Sequence, residues 1–316
     1  MNPRDVFSVI ESAYRTDLAT VEWLENIAAA SSRALGSDSA MAFQYDASAD
    51  DWVRGGLAGF HGFPPEFGAS LLNHPDMPPD GIRAMIQMFR TVRVDGLRDF
   101  SWRTGLTMFS ALLDHFCIDD LIGVNGIDPS RRGCFVVVKA RRAVQSPRTI
   151  HLWRRLGAHI AAGNRLRNTL DQLAREGVEP ADRAEAVLAP NGKVEHATGA
   201  ADPRAARESL RDALVRIDAA RSSVGDAGQA IELWRALVSA RWSLVEHFER
   251  NGRKYYLAYK NDPELSENRA LTPRERQVLG YAELGNSNKL IAYALGLSPS
   301  TVATVLSRAK GKLGIA

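Results

Sequence analysis

Seven consecutive residues, Asp114-His115-Phe116-Cys117-Ile118-Asp119-Asp120, crowd carboxylates, an imidazole and a thiol into one short stretch. A thiol beside an imidazole is a nucleophile pair, and Cys, His and Asp together are metal-ligand types. The same pattern also fits a helix end whose acids face water while its Cys and Phe face the core. Gly55-Gly56-Leu57-Ala58-Gly59 lacks both the GxGxxG spacing and the following helix of a dinucleotide site, so it reads as strand and loop glycine. The seven histidines form no HExxH-like pair, and two cysteines cannot build a four-thiolate zinc site or a disulfide framework. The expectation is a non-enzyme with no catalytic residues, no cofactor and no metal. Trp52, Phe60, His61 and Phe63 are candidates for the wall of a ligand pocket, although core packing or loop anchoring accounts more readily for each one taken singly.

At 316 residues the chain is long for one core and suits two or three domains. Apolar residues at 45% and charged ones at 24% exclude global disorder and fibrous architecture. No apolar run approaches a membrane span, and the first residues lack a secretory pattern, so a reduced, cytoplasmic protein is expected. The net charge of +3 is modest, but it is unevenly placed. From Leu271 to Ala316 six basic residues face two acids, so this terminal segment carries +4 and the rest of the chain −1. A locally basic terminal module is the footprint of a phosphate-binding unit.

Three short helices are predicted in that module. Thr272-Pro273-Arg274-Glu275 combines an N-cap Thr, a Pro at the first helical position and a Glu that closes a capping box. Gly285 stops this helix. A second carries Leu290, Ile291, Ala294 and Leu295 inward and ends at Gly296. Ser298-Pro299 opens a third that runs to Leu313. The Gly296-Leu297-Ser298 junction between the last two gives a helix-turn-helix arrangement.

Leu271-Thr-Pro-Arg-Glu-Arg-Gln-Val-Leu279, Gly285-Asn-Ser-Asn-Lys289, Ile291-Ala292, Leu295-Gly-Leu-Ser298, Thr301-Val302 and Lys312-Leu313-Gly314 closely resemble the DNA-binding domain of LuxR-type transcription regulators over Leu271–Ile315. The resemblance implies that the third helix enters the major groove and that Glu275 pairs with Lys312. Three departures are evident: Leu290 where the family often has an acid, Ala303 and Val305 where it usually has Lys and His, and a chain that stops before the family's fourth helix, commonly a dimer contact. On a helical wheel, Val302, Leu306, Ala309 and Leu313 face inward, with Ser300, Thr304, Ser307, Arg308 and Gly311 opposite. Arg308 alone could read guanine bidentately, and Ala303 or the Thr304 methyl could touch thymine. Lys289 and Lys310 suit phosphates, and Thr301 completes the candidate DNA-contacting set.

Upstream, Asp17 is expected to cap a helix over Leu18–Leu35 ended by Gly36. Met41–Tyr45 and Trp52–Leu57 read as strands. Gly55–Gly81 reads as a long Pro/Gly-rich loop with at most one short helix. Leu121–Val124 and Cys134–Lys139 read as strands joined at Asp128-Pro129-Ser130, followed by a long helix from Pro147. The order of these elements over about residues 17–170 is similar to a GAF domain. That similarity implies a six-stranded antiparallel sheet with a small-molecule pocket or a dimer platform. The middle segment pairs Ala186–Leu188 with Val194–His196 and Trp242–Phe248 with Arg253–Lys260, with a helix over Arg204–Arg221. It resembles a PAS fold in part but is short of strands. The expected fold is multidomain α+β: a GAF-like sensor over 1–176, an α+β middle domain over 177–264 and a helix-turn-helix domain over 265–316.

In the helix after Pro147, Leu152, Leu156, His159, Gly163, Leu166, Leu170 and Leu173 alternate at spacings of four and three, the seam of a coiled coil. A homodimer built there is one expectation, and a helix packed on its own sheet is the other. If two His159 side chains faced each other, protonation below pH ~6.5 would loosen the seam. From Lys139 to Glu176 nine basic residues face two acids, a solvated helix face or a second anionic-surface patch. The reading as a whole is a transcription regulator that binds double-stranded DNA as a homodimer, with a small-molecule effector and RNA polymerase as further partners and no membrane association. The rival is a small-molecule-binding protein or enzyme whose terminal helices make protein contacts.

Overall fold

A computed structural model describes residues 3–47, 56–72, 79–141, 146–222, 242–248, 254–260 and 271–315. The protein is α+β with antiparallel sheets and a C-terminal helical segment. It divides into two compact units, Met1–Ala161 with Glu283–Asn286, and Ala162–Ala282 with Ser287–Ala316.

The first unit runs α1 (Pro3–Ala13), α2 (Thr20–Leu35), β1 (Ala40–Asp46), β2 (Ala58–His61), α3 (Pro65–Leu72), α4 (Pro79–Phe89), β3 (Val94–Gly96), α5 (Leu97–Thr104), α6 (Thr107–His115), β4 (Asp120–Ile127), β5 (Arg132–Ala140) and the start of α7 (Pro147–Glu176). Its sheet has the order β2-β1-β5-β4-β3, five strands among the described residues against the six that a GAF likeness implies. β2 falls at Ala58–His61, beyond the expected Trp52–Leu57, and residues 51–55 lie outside the described residues. The Pro-rich stretch is not a bare loop. Pro65 and Pro79 each occupy the first position of a helix, where proline's missing N–H costs nothing and its fixed φ helps. Asp17 does not cap α2. Its carboxylate is gripped by Arg15 at 2.7 and 2.8 Å, and the cap position is Ala19. Gly36 ends α2 with φ +65°, as a left-handed terminator should.

Strand alternation gives the sheet two faces. Met41, Phe43 and Tyr45 of β1, Leu121 of β4 and Phe135 and Val137 of β5 join one apolar core with residues of α3–α6. The opposite face meets α7: a Cβ on Gly126 would lie 2.8 Å from Ile160, and one on Gly157 would lie 3.1 Å from the Asn125 carbonyl. On the α4 side a buried polar knot fixes the sheet. Tyr45 donates to Asn125 Oδ1 and to the Phe89 carbonyl, and Asn125 Nδ2 donates to the carbonyls of Phe89 and Thr91 at 2.9 Å each.

The second unit continues α7 and adds α8 (Pro180–Arg183), β6 (Ala186–Leu188), β7 (Val194–Ala197), α9 (Arg204–Ser222), β8 (Trp242–Phe248) and β9 (Lys254–Lys260). The sheet order is β7-β6-β9-β8. The β6–β7 turn uses Gly192 at φ +82°, with Asn191 Oδ1 accepting the Lys193 N–H at 3.0 Å. Three helices complete the described chain: α10 (Pro273–Glu283), α11 (Asn288–Leu295) and α12 (Pro299–Leu313).

The residues expected to form a seam along α7 differ in burial. Leu156 and His159 are fully buried, Leu166 and Leu173 nearly so, Gly163 is buried, and Leu152 and Leu170 are half-buried. Heptad spacing reports an apolar stripe, not the surface that covers it. The basic stretch is likewise no uniform patch, because Arg167 is buried.

Candidate nucleic-acid interface

The terminal helices begin with a closed capping box. Thr272 N–H donates to Glu275 Oε2 at 2.8 Å, and Glu275 N–H donates back to Thr272 Oγ1 at 3.3 Å. Lys312 Nζ, from the last turn of α12, donates to the same Oε2 at 2.8 Å. Glu275 is buried while Lys312 is exposed. The Lys312 ammonium, then the Thr272 N–H, hold the pKa of the Glu275 carboxyl down to about 2.

α11 and α12 are capped by serines: Ser287 Oγ accepts the Leu290 N–H at 3.3 Å, and Ser298 Oγ accepts the Thr301 N–H at 3.0 Å. Gly296, at φ +65°, terminates α11, and the two helices are bent 104° apart. That angle suits a helix-turn-helix. Leu290, the departure from the usual acid, is buried beside Ile291, so a charge there would have to be desolvated.

Along α12, Val302 and Ala309 are fully buried, whereas Leu306 and Leu313 are half-buried. Ser300, Thr301, Ala303, Thr304, Ser307, Arg308 and Gly311 are exposed, Lys310 is half-buried, and Lys289 is exposed in the first turn of α11. Thr304 Oγ1 donates to the Ser300 carbonyl at 3.0 Å, which turns its methyl away from that bond. The outward face is therefore small and hydroxyl-rich, with one guanidinium. It can approach a groove closely and can offer few bidentate base contacts.

Residues 269–316 match the family described as bacterial regulatory proteins, luxR family. This segment is a luxR-family helix-turn-helix domain. No curated protein matches the chain. The domain supports a DNA-binding transcription regulator, and the matched residues include the helices, caps and Gly-Leu-Ser turn described above.

The other candidate residues are dispersed. Asp114 pairs with Arg98 at 2.7 Å, Asp120 Oδ1 accepts the Arg98 N–H at 3.0 Å, and the Arg98 side chain also donates to the Asp119 carbonyl. One arginine thus engages the carboxylates of Asp114 and Asp120 and the backbone of Asp119. Cys117 is exposed with φ +53°, not core-facing as expected. Among the described residues, no group of three or more His, Cys, Asp or Glu could hold a metal ion. No single helix among them is long and apolar enough to cross a membrane.

Of the expected pocket wall, Trp52 lies outside the described residues, His61 is exposed, Phe60 is half-buried, and Phe63 is buried and stacked on Phe67 at 4.5 Å. None of the three described residues lines the apolar cavity of the first unit. That cavity is bounded instead by Phe43, Phe89, Phe100, Phe109 and Phe135, with Arg93 and Asp95 at its polar edge. Its volume is about 60 Å³, and it opens to solvent on one side. Phe43 and Phe135 sit on strands that the sequence identifies. Phe89 and Phe100 belong to helices hidden in or after the Pro-rich stretch, and no periodicity points to Arg93 or Asp95.

Proposed function

We propose that the protein is a transcription regulator in which a GAF-like N-terminal sensor governs a luxR-type helix-turn-helix bound to double-stranded DNA. The observation that carries this reading is the exposed face of α12, held at 104° to α11 by two serine caps and a left-handed glycine, inside the luxR-family match. Ser300, Thr301, Ala303, Thr304, Ser307 and Arg308 meet the major groove, and Lys289 and Lys310 hold backbone phosphates. The aromatic cavity in the first unit supports an effector-sensing role for that unit. The α+β segment over 177–264 is a separate, PAS-like middle domain, and the 1–176 segment ends in α7. Two protomers occupy two half-sites about one helical turn apart, and RNA polymerase reads the bound complex. Genome-wide crosslinking of the full chain and of a chain lacking the sensor tests this. Discrete sites whose occupancy changes when the sensor is removed are expected, and an absence of enriched sites in both would overturn the reading.

A further inference from the structure

The cavity between the sheet and α4–α6 has an unusually uniform apolar lining. Five phenylalanines and two methionines, Met85 and Met88, surround it. Phe43 and Phe135 stack at 5.6 Å between centroids, Phe89 lies 4.9 Å from Phe135, and Phe100 lies 5.8 Å from Phe109. A flat ring fits among such rings by offset or edge contacts, and methionines adapt to its outline.

The floor is kept open by Gly123, where a Cβ would lie 2.7 Å from the Phe135 ring. Directly across the β3–β4 ladder from Gly123 stands Asp95. Its Oδ2 is 3.3 Å from Arg103 Nη2 and 3.6 Å from Arg93 Nη1. Two guanidinium groups therefore share one carboxylate, which leaves one positive charge in excess among these three groups. Arg103 already opposes the charge of Asp95. Arg93 lines the cavity, and among the described residues its guanidinium makes no hydrogen bond. Its fork of N–H donors matches a carboxylate, which would also neutralise the edge.

We infer that this cavity binds a small aromatic monocarboxylic acid, with its ring among the phenylalanines and its carboxylate on Arg93. The small volume of the cavity limits the body to a compact ring system, and the half-exposed Arg93 places the charge toward the opening. This rests on the reading of the first unit as the sensing half and names the chemistry it senses.

Calorimetric titration of the full chain tests it with benzoate, phenylacetate and phenylpropanoate, each beside its neutral amide, and with benzylamine as the cation. At least one acid is expected to bind at least about tenfold more tightly than its amide and than benzylamine. Arg93→Gln should reduce that acid's affinity to the amide's, and Asp95→Asn should raise it. An amide as tight as its acid, tighter binding of benzylamine, or no saturable binding of any acid would each overturn the inference. The comparison of acid with amide on the unaltered chain needs no variant to fold. DNA affinity measured without ligand is a separate readout, so a failed DNA assay beside a positive titration rejects the regulator reading alone, and the converse rejects the ligand alone.

Discussion

Glu275 and Lys312, 37 residues apart, meet at 2.8 Å, and the carboxylate oxygen that receives the ammonium also closes the cap of α10. One side chain thus fastens the start of the first terminal helix to the end of the last.

That double duty makes the two single substitutions unequal. Glu275→Ala removes the side-chain half of the capping box and the ion pair together, whereas Lys312→Met leaves the buried carboxylate its Thr272 donors. Glu275→Ala should therefore lower the melting temperature more than Lys312→Met, and the double variant should cost less than the sum. Thermal unfolding of all four proteins checks this, and additive losses would mean the contact contributes nothing. The folded pKa of Glu275 is depressed from about 4.5 to about 2, so its contribution is complete above pH 4.5 and disappears as pH falls through 2. The gap between wild type and Glu275→Gln should close over that window.

Binding of DNA by so small an outward face should be dominated by phosphates. Log affinity should fall linearly with log salt, with a slope near −0.9 per phosphate neutralised. Lys289→Ala should weaken binding to all sequences alike and flatten that slope by roughly one phosphate's worth. Arg308→Ala should also relax preference at one base pair, at a cost of roughly 1–3 kcal/mol on the best site. Fluorescence anisotropy at several salt concentrations, on matched and mismatched duplexes, separates the two effects. An interaction insensitive to salt would exclude this interface.

His159 supplies a pH dependence opposite in meaning to a dimer switch. It is fully buried, 3.3 Å from the Tyr14 hydroxyl, and burial first, then the Arg155 charge, push its pKa down to about 3 from an ordinary 6.5. The unfolded chain binds a proton there more readily than the folded one. Stability is therefore intact above pH 6.5 and falls toward pH 3, by roughly 1.4 kcal/mol per pH unit for this group. Denaturant unfolding from pH 7 to 4 should show that slope, and His159→Leu should remove it. A slope unchanged in the variant would place the titration elsewhere.

The terminal helices are legible in the sequence because their determinants are local. Thr272, Pro273, Glu275, Gly296 and Ser298 act within one turn of their own position, and fixed spacing reveals them. The sheet strands β1, β4 and β5 are legible too, as short apolar runs bounded by turn residues. What the sequence hides depends on long-range placement. Pro65 and Pro79 read as breakers, since a proline can end one helix or begin another, and only the packing of the later residues decides which. Asp17 reads as a cap until Arg15 is seen to occupy it. The cavity escapes because its phenylalanines come from strands and helices far apart in the chain, and because Gly123 acts by the space it leaves empty.

Gly126 is a sharper case of a residue that acts through an absence. An added Cβ would lie 2.8 Å from Ile160 Cγ2 and 3.0 Å from the Gly157 carbonyl. Gly126→Ala should push α7 off β4 and cost roughly 1–3 kcal/mol, as overpacking does. Ile160→Ala removes the Cγ2 methyl itself, so the double variant should cost less than the sum of the two single changes. Urea unfolding of the two single variants and the double is the measurement. A neutral Gly126→Ala would show that the helix does not lie so close.

The stripe on α7 yields the last prediction. Leu166 is 4% exposed in a single protomer. Were the stripe a seam between two copies, Leu166→Glu would split a dimer into folded monomers, and the melting temperature of the wild type would rise with protein concentration. With Leu166 already covered in a single protomer, Leu166→Glu should instead force a carboxylate into apolar surroundings and destabilise the protomer by several kcal/mol. The loss should be the same at low and high protein concentration. Sedimentation velocity together with thermal unfolding at two concentrations distinguishes the cases: a folded, smaller species with near-native stability would return α7 to the role of a seam.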